Sequence, residues 1–90
     1  MYLSSLSEFN SRHERLMKMV YTEEKNNHSL KDIKKSSPNI KMDMLREVRE
    51  IRNLGSELLK HTDKLTSRDL KRVNEGLIYA NMVAGELGDR

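Results

Sequence analysis

The chain has 90 residues, of which 34% are charged and 36% hydrophobic, and it carries a formal net charge of +3. This length corresponds to one domain with a modest core. The absence of cysteine excludes disulfides and thiolate metal sites. No apolar run approaches the roughly 18 residues that a membrane-spanning helix needs.

The first predicted helix covers about residues 5–25. Ser5 and Glu8 have the spacing of a capping box, in which each side chain would bind the other residue's amide. His13 lies on the apolar face, as a boundary histidine with one nitrogen in water or, alternatively, as a pH sensor or metal ligand. Residues 26–28, Asn-Asn-His, should end the helix, because Asn tolerates the left-handed conformation. The apolar face repeats every three or four positions, at Leu6, Phe9, Leu16 and Val20.

A basic connection follows at residues 29–41. It accounts for the whole net charge, because its lysines outnumber its single acid, Asp32. Ser29 and Asp32 have a capping spacing that could start a short helical turn. Pro38 disfavours the α conformation at the preceding residue and is itself a good first-turn residue for the next helix. The lysines are Lys31, Lys34, Lys35 and Lys41.

The second predicted helix covers about residues 40–62 and the third about residues 67–87. Thr66 and Asp69 form an N-cap pair for the third helix, and Gly88 is placed to stop it. The apolar seam of the second helix keeps alternating spacings of four and three, at Met44, Val48, Ile51, Gly55 and Leu58. The seam of the third helix does the same, at Leu70, Val73, Leu77, Ala80, Ala84 and Leu87.

Gly55 lies inside the seam of the second helix, where glycine costs roughly 0.5–1 kcal/mol relative to alanine. The third helix carries Gly76, Ala80 and Ala84 at every fourth position. Small residues at this spacing let two helix backbones approach closely. We therefore expect a tight antiparallel crossing of these helices, with Gly55 against the small residues; the alternative is a chance pattern with a helix kink.

These patterns predict an all-α protein that forms a single helical domain, residues 1–90, without a sheet. The expected architecture is a small bundle of three main helices. The second and third helices form a long antiparallel hairpin, and the N-terminal helix packs across it.

The sequence contains no motif of a catalytic, cofactor or metal site. There is no nucleophile elbow and no Gly-rich phosphate loop, and the histidines lack the spacing of metal ligands. We therefore expect no enzyme, no cofactor, no metal and no small-molecule substrate. Nothing in the residues directs the chain out of the cytosol, so we expect a cytoplasmic protein, of bacterial or phage origin.

The apolar stripes are wider than one small bundle needs, which favours a protein-interaction module: an adaptor, inhibitor or chaperone-like regulator. It would bind a protein partner, a second copy of itself, or both. The predicted interface is Met44, Leu45, Leu59, Ile78, Tyr79, Met82 and Val83.

The alternative is a nucleic-acid-binding regulator that uses the basic connection together with the start of the third helix. No aromatic residue alternates with these bases, so no base-stacking platform is evident, and nucleic acid is the second choice. The predicted contacts are Lys31, Lys34, Lys35, Lys41, Arg68, Lys71 and Arg72.

Overall fold

A computed structural model describes residues 2–88 of the chain, and these residues are almost entirely helical. No strand occurs among them, so the all-α prediction is confirmed. The four α-helices are α1 Tyr2–Lys25, α2 Leu30–Ser36, α3 Pro38–Leu59 and α4 Ser67–Glu86, with a short 3-10 turn at Thr62–Lys64 between the last two.

The end of α1 follows the prediction from its asparagines. Asn27 has a φ of 64°, in the left-handed region. Its amide donates to the carbonyl of Glu24 at 3.0 Å, and the amide of His28 donates to the carbonyl of Glu23 at 2.8 Å. This is the Schellman arrangement, which satisfies carbonyls that the end of a helix leaves free.

The predicted N-caps of α2 and α4 are also confirmed. The Ser29 hydroxyl accepts from the Asp32 amide at 3.2 Å, and the Asp32 carboxylate accepts from the Ser29 amide at 3.1 Å. The bond from the Ser29 amide lowers the pKa of Asp32, because it favours the charged carboxylate. The Thr66 hydroxyl accepts from the Asp69 amide at 3.0 Å. Pro38 is the first residue of α3.

The beginning of α1 differs from the prediction. The helix starts at Tyr2, so Ser5 and Glu8 lie inside it, and the predicted capping box is wrong. The Glu8 carboxylate instead lies 3.7 Å from Nε of Arg12, one turn further on. Serine and glutamate three residues apart suit a helix interior as well as a cap, and here the i,i+4 pair with Arg12 accounts for the glutamate.

The three long helices pack against one another, and α2 packs against α3 and α4. Contacts between α1 and α3 extend from Phe9 beside Gly55 to Met19 and Ile40, which line one groove. Residue numbers therefore rise along α1 as they fall along α3. The helix α1 runs antiparallel alongside α3 instead of crossing the hairpin at one level.

The pair α3 and α4 is antiparallel as well. Gly55 lies against Leu77, and Nε of Arg52 donates to Oδ1 of Asn81 at 2.9 Å. The resulting bundle measures 43 × 24 × 17 Å along its principal axes. Its apolar centre includes Ile33 of α2, which is 1% exposed.

The side chain of Phe9 lies where the three long helices meet. Its ring is 0% exposed. A Cβ at Gly76 would lie 2.6 Å from both Cε1 and Cζ of Phe9, and a Cβ at Gly55 would lie 3.1 Å from its Cε2. The two glycines thus leave the space that the ring fills. The predicted packing of Gly55 against the small residues of α4 is wrong, because the atoms nearest to it belong to the side chains of Leu77 and Phe9. Gly76 faces α1 instead, where a Cβ would meet Phe9 and His13.

One buried ion pair also joins α1 to α3. The Glu47 side chain is 7% exposed, and Nη1 of Arg12 donates to both of its carboxylate oxygens, at 3.1 and 3.2 Å. This contact raises the pKa of Arg12, chiefly through the hydrogen bond and then through the charge of Glu47. Nη1 of Arg15 lies 3.7 Å from the same carboxylate. Two arginines of α1 therefore pair with Glu47, which is the one buried acid among the described residues.

Candidate interaction surfaces

The structure divides the predicted apolar interface into core and surface residues. Met44 and Val83 are both 0% exposed, so neither belongs to a surface of this fold. The reason is that α3 and α4 are each covered from two sides, by one another and by α1. Their buried stripes are therefore wider than a two-helix contact would make them. Leu45 and Tyr79 are half-buried and pack against the core.

The exposed members of the predicted interface are Leu59, Ile78 and Met82. Leu59 ends α3 and is 37% exposed. Ile78 is 69% exposed and Met82 is 46% exposed. The last two lie one helical turn apart and about 160° around α4 from the buried Ala80, because an α-helix advances about 100° per residue. We call this side the α4 outer face, formed by Lys71, Glu75, Ile78, Met82 and Gly85.

His13 and Tyr79 form an aromatic contact at the border between α1 and α4. Their ring centroids are 5.5 Å apart and the ring planes are inclined by 51°. Partial burial lowers the pKa of His13, against a smaller opposing effect of Glu75. Burial also raises the pKa of Tyr79, with a further contribution from Glu24. Both shifts favour the neutral form of the ring, and the contact packs one helix against the other.

A groove between α1 and α3 has a volume of about 530 Å³. Its apolar lining comes from Met19, Ile40 and Met44. Both acidic and basic side chains line it, among them Arg15 and Asp43. The charges of the lining therefore favour neither an anionic nor a cationic ligand.

The lysines of the basic connection gather at the C-terminal end of α4. Lys31, Lys34 and Lys35 line a cavity of about 260 Å³ together with Gly85 and Glu86. The last turn of α4 has no basic residue of its own. The lysines of α2 therefore place positive charge at the negative end of the α4 dipole.

Lys34 also has a packing role at this end of the bundle. A Cβ at Gly88 would lie only 2.7 Å from Cε of Lys34. Gly88 follows the end of α4 and has a φ of 84°, in the left-handed region. Lys41 lies in the first turn of α3, which begins at Pro38. Because α3 and α4 are antiparallel, Lys41 lies toward the same end of the bundle.

The remaining predicted anion contacts lie at the opposite end of α4. Arg68, Lys71 and Arg72 occupy its first two turns, about 20 Å along the axis from Gly85 at 1.5 Å per residue. Arg72 lines a groove beside α1 that also contains Glu14 and Glu75. The predicted basic residues thus form two separate clusters.

Among the side chains that the structure describes, residues 4–88, three exposed large apolar residues lie outside the predicted interface. Met17 is 40% exposed, and Tyr21 and Met42 are both 61% exposed. Nζ of Lys25 lies 5.4 Å from the centroid of the Tyr21 ring, a cation–π contact. Met17 and Tyr21 widen the apolar stripe of α1 in the sequence, but periodicity alone does not indicate where the cover by neighbouring helices stops.

Within residues 2–88, no cluster of three or more histidine, aspartate or glutamate side chains is arranged to hold a metal ion. None of the described helices combines the length and the hydropathy needed to cross a membrane. Comparison with protein-family models, with curated proteins and with solved structures gave no match.

Proposed function

We propose that this protein is a small protein-interaction module that acts through the α4 outer face. The observation that carries the proposal is the exposure of Ile78 and Met82, at 69% and 46%, one turn apart on the side of α4 that faces away from the bundle. Fully burying such a side chain is worth about 1.5–3 kcal/mol. A partner that covers both residues would gain much of this free energy.

The position of the pair also favours a macromolecular partner over a small molecule. Ile78 and Met82 project from a convex helix surface, whereas small-molecule sites are concave and enclose most of the ligand. The cavities near α4 are lined mainly by charged and polar side chains. A protein that offers its own apolar groove or helix is the partner that fits, and no catalytic role is proposed.

Nucleic-acid binding has weaker support. The basic residues lie in two clusters about 20 Å apart, and Lys34 already packs against Gly88. At the start of α4 the Thr66 hydroxyl already accepts from the Asp69 amide, and the Asp69 carboxylate lies in the first turn, so its negative charge disfavours a phosphate there. We therefore keep protein binding as the first proposal.

The test is affinity capture from an extract of the source organism, with the parent chain beside Ile78→Glu. Met42→Glu is the matched control, because Met42 is 61% exposed on α3 and lies away from the α4 outer face. We expect one or more proteins that the parent and Met42→Glu retain and Ile78→Glu loses. Capture by all three variants alike, or binding only of material that nuclease removes, would contradict the proposal.

A further inference from the structure

We propose that Met82 is a modification site, at which a peroxide converts the thioether to a sulfoxide and thereby weakens binding of a partner to the α4 outer face. The proposal rests on the proposed function and adds a means of regulating it. It holds for any protein that covers the face, because the chemical change takes place on the face itself. Met82 lies one turn after Ile78 and three residues before Gly85, and both neighbours carry the argument.

Gly85 leaves the Met82 side chain open to solvent. Side chains of an α-helix lean toward its N-terminus, so a residue covers the positions three and four places before it. Gly85 has no side chain, and nothing lies within 4 Å of the position that its Cβ would take. The other covering position is that of Glu86, which is itself exposed. A small peroxide can therefore reach Met82, which is 46% exposed.

The other described methionines divide into exposed and protected residues. Met42 is 61% exposed and Met17 is 40% exposed, whereas Met44 is 0% exposed and Met19 is half-buried against the core. Oxidation requires access to the sulfur, so a peroxide reaches Met44 only when the bundle opens. Oxidation of the surface methionines thus leaves the thioether of Met44 intact and the bundle folded.

The position of Met82 makes its oxidation consequential for binding. Of the large apolar residues in the described helix α4, Ile78 and Met82 are the two that are exposed. Oxidation of Met82 therefore removes one of the two apolar side chains that a partner would cover. Met17 lies on α1 and Met42 on α3, so their oxidation leaves the α4 outer face apolar.

The reaction is an oxygen transfer that balances without a cofactor. A hydroperoxide gives one oxygen atom to the Met82 sulfur and leaves as water or an alcohol, so the sulfur loses two electrons and the O–O bond is reduced. The sulfoxide is polar, and a partner that buries it without a hydrogen-bond donor loses free energy. A methionine sulfoxide reductase with a dithiol reverses the step and yields the thioether, water and a disulfide.

The experiment treats the purified full chain with hydrogen peroxide and removes the excess with catalase before affinity capture, so that only this chain is oxidised. Peptide mass spectrometry follows the sulfoxide at each methionine with time, and circular dichroism measures whether the bundle stays folded. We expect Met17, Met42 and Met82 to be oxidised at least about tenfold faster than Met44. Gly85→Leu should slow the oxidation of Met82 and leave that of Met42 unchanged.

The readout of binding is the ratio of capture after oxidation to capture before it, for the proteins whose capture depends on Ile78. In the parent this ratio should fall at least about tenfold and recover after treatment with the reductase. In Met82→Leu the ratio should stay near one, because leucine has no sulfur to oxidise. Met42→Leu is the matched control, and its ratio should fall as in the parent. Met82→Gln, which introduces a polar group without oxidation, should lose capture untreated.

Several results would overturn the proposal. Oxidation of Met82 no faster than that of Met44 would show that its sulfur is not accessible. A ratio in Met82→Leu as low as in the parent would assign the loss to another methionine. Full capture by the oxidised parent, or by Met82→Gln, would show that the face tolerates a polar group at this position. Unfolding of the oxidised parent would mean that oxidation acts through the core and not through the face.

Failure of this proposal is distinguishable from failure of the proposed function. If capture depends on Ile78 but is insensitive to the oxidation of Met82, the protein-interaction function stands and its regulation by peroxide is excluded. If capture is unchanged in Ile78→Glu, the proposed function itself fails, and the regulatory role of Met82 fails with it.

Discussion

Alanine substitutions at three glycines test the packing around Phe9, because the three sites differ mainly in what a Cβ would meet. At Gly76 a Cβ would lie 2.6 Å from two atoms of the Phe9 ring. At Gly55 it would lie 2.6 Å from Cδ2 of Leu77 and 3.1 Å from Phe9. At Gly85 it would meet nothing within 4 Å.

The expected magnitudes follow from two opposing effects. Replacing glycine by alanine within a helix gains up to about 1 kcal/mol of helix propensity, and overpacking a core costs about 1–3 kcal/mol. Gly85→Ala should therefore stabilise by about 0.5–1 kcal/mol. Gly55→Ala should be near neutral, because the end of the Leu77 side chain can rotate away. Gly76→Ala should destabilise by about 1–2 kcal/mol, because the buried ring cannot.

The assay is urea unfolding followed by circular dichroism, with the free energy extrapolated to water. Thermal midpoints should follow the same order, with about 4–8 °C per kcal/mol for a domain of this size. A double-mutant cycle adds Phe9→Leu to Gly76→Ala; the smaller side chain should remove most of the alanine's cost. If Gly76→Ala is as stable as Gly85→Ala, or if Phe9→Leu does not alter its effect, Phe9 does not fill the space at Gly76.

Three further predictions concern charged and titratable groups. Glu47→Ala should destabilise by about 1–3 kcal/mol, because it removes the hydrogen bonds that Arg12 donates to the buried carboxylate, whereas Arg15→Ala should cost less than about 0.5 kcal/mol because Arg15 is exposed; urea unfolding measures both. Burial lowers the pKa of His13 below its ordinary 6.5, so the unfolded state binds the proton more readily and the free energy of unfolding should fall as pH drops from about 7 to about 5; His13→Gln should flatten that part of the pH profile. Lys34→Ala should lower the free energy of unfolding by the about 0.3–1 kcal/mol that a cation at a helix C-terminus contributes, seen as a small fall in the thermal midpoint; Lys18→Ala, in the middle of α1, loses only an exposed pair with Glu14 and should have a smaller effect.

The helix ends were predictable where a local hydrogen bond fixes them. Ser29 with Asp32, Thr66 with Asp69, and Asn27 each act on amides or carbonyls within a few residues, so their spacing carries the information. The beginning of α1 was not predictable in the same way. A serine three residues before a glutamate occurs in helix interiors too, and Glu8 binds forward to Arg12.

The sequence predicts which face of each helix is buried, but it does not predict which residues of the other helices that face contacts. Periodicity places Gly55 and Gly76 on the inner sides of α3 and α4, and both are buried there. It does not say that Phe9 of α1 fills the space they leave, because that depends on how three helices are set against one another. The same uncertainty explains why Met44 and Val83 were assigned to the surface, since the width of a buried stripe depends on how many neighbours cover the helix.

The exposure of Ile78 and Met82 on α4 supports an external partner, and its independence of folding can be tested by stability alone. The buried residues of α4 are Val73, Gly76, Ala80, Val83 and Ala84, whereas Ile78 and Met82 face outward. Ala80 is 0% exposed, so Ala80→Leu should overpack the core and destabilise by about 1–3 kcal/mol. Ile78→Gln should change the free energy of unfolding by less than about 0.5 kcal/mol, because the side chain is exposed and glutamine favours helix at least as well as isoleucine. Urea unfolding of the two variants beside the parent decides the point.

A large loss of stability in Ile78→Gln at low protein concentration would mean that the isolated chain needs Ile78 to fold, and would remove the argument that its apolar side chain serves a partner. An unchanged stability, together with lost capture by Ile78→Glu, separates the residues that hold the bundle together from those that bind.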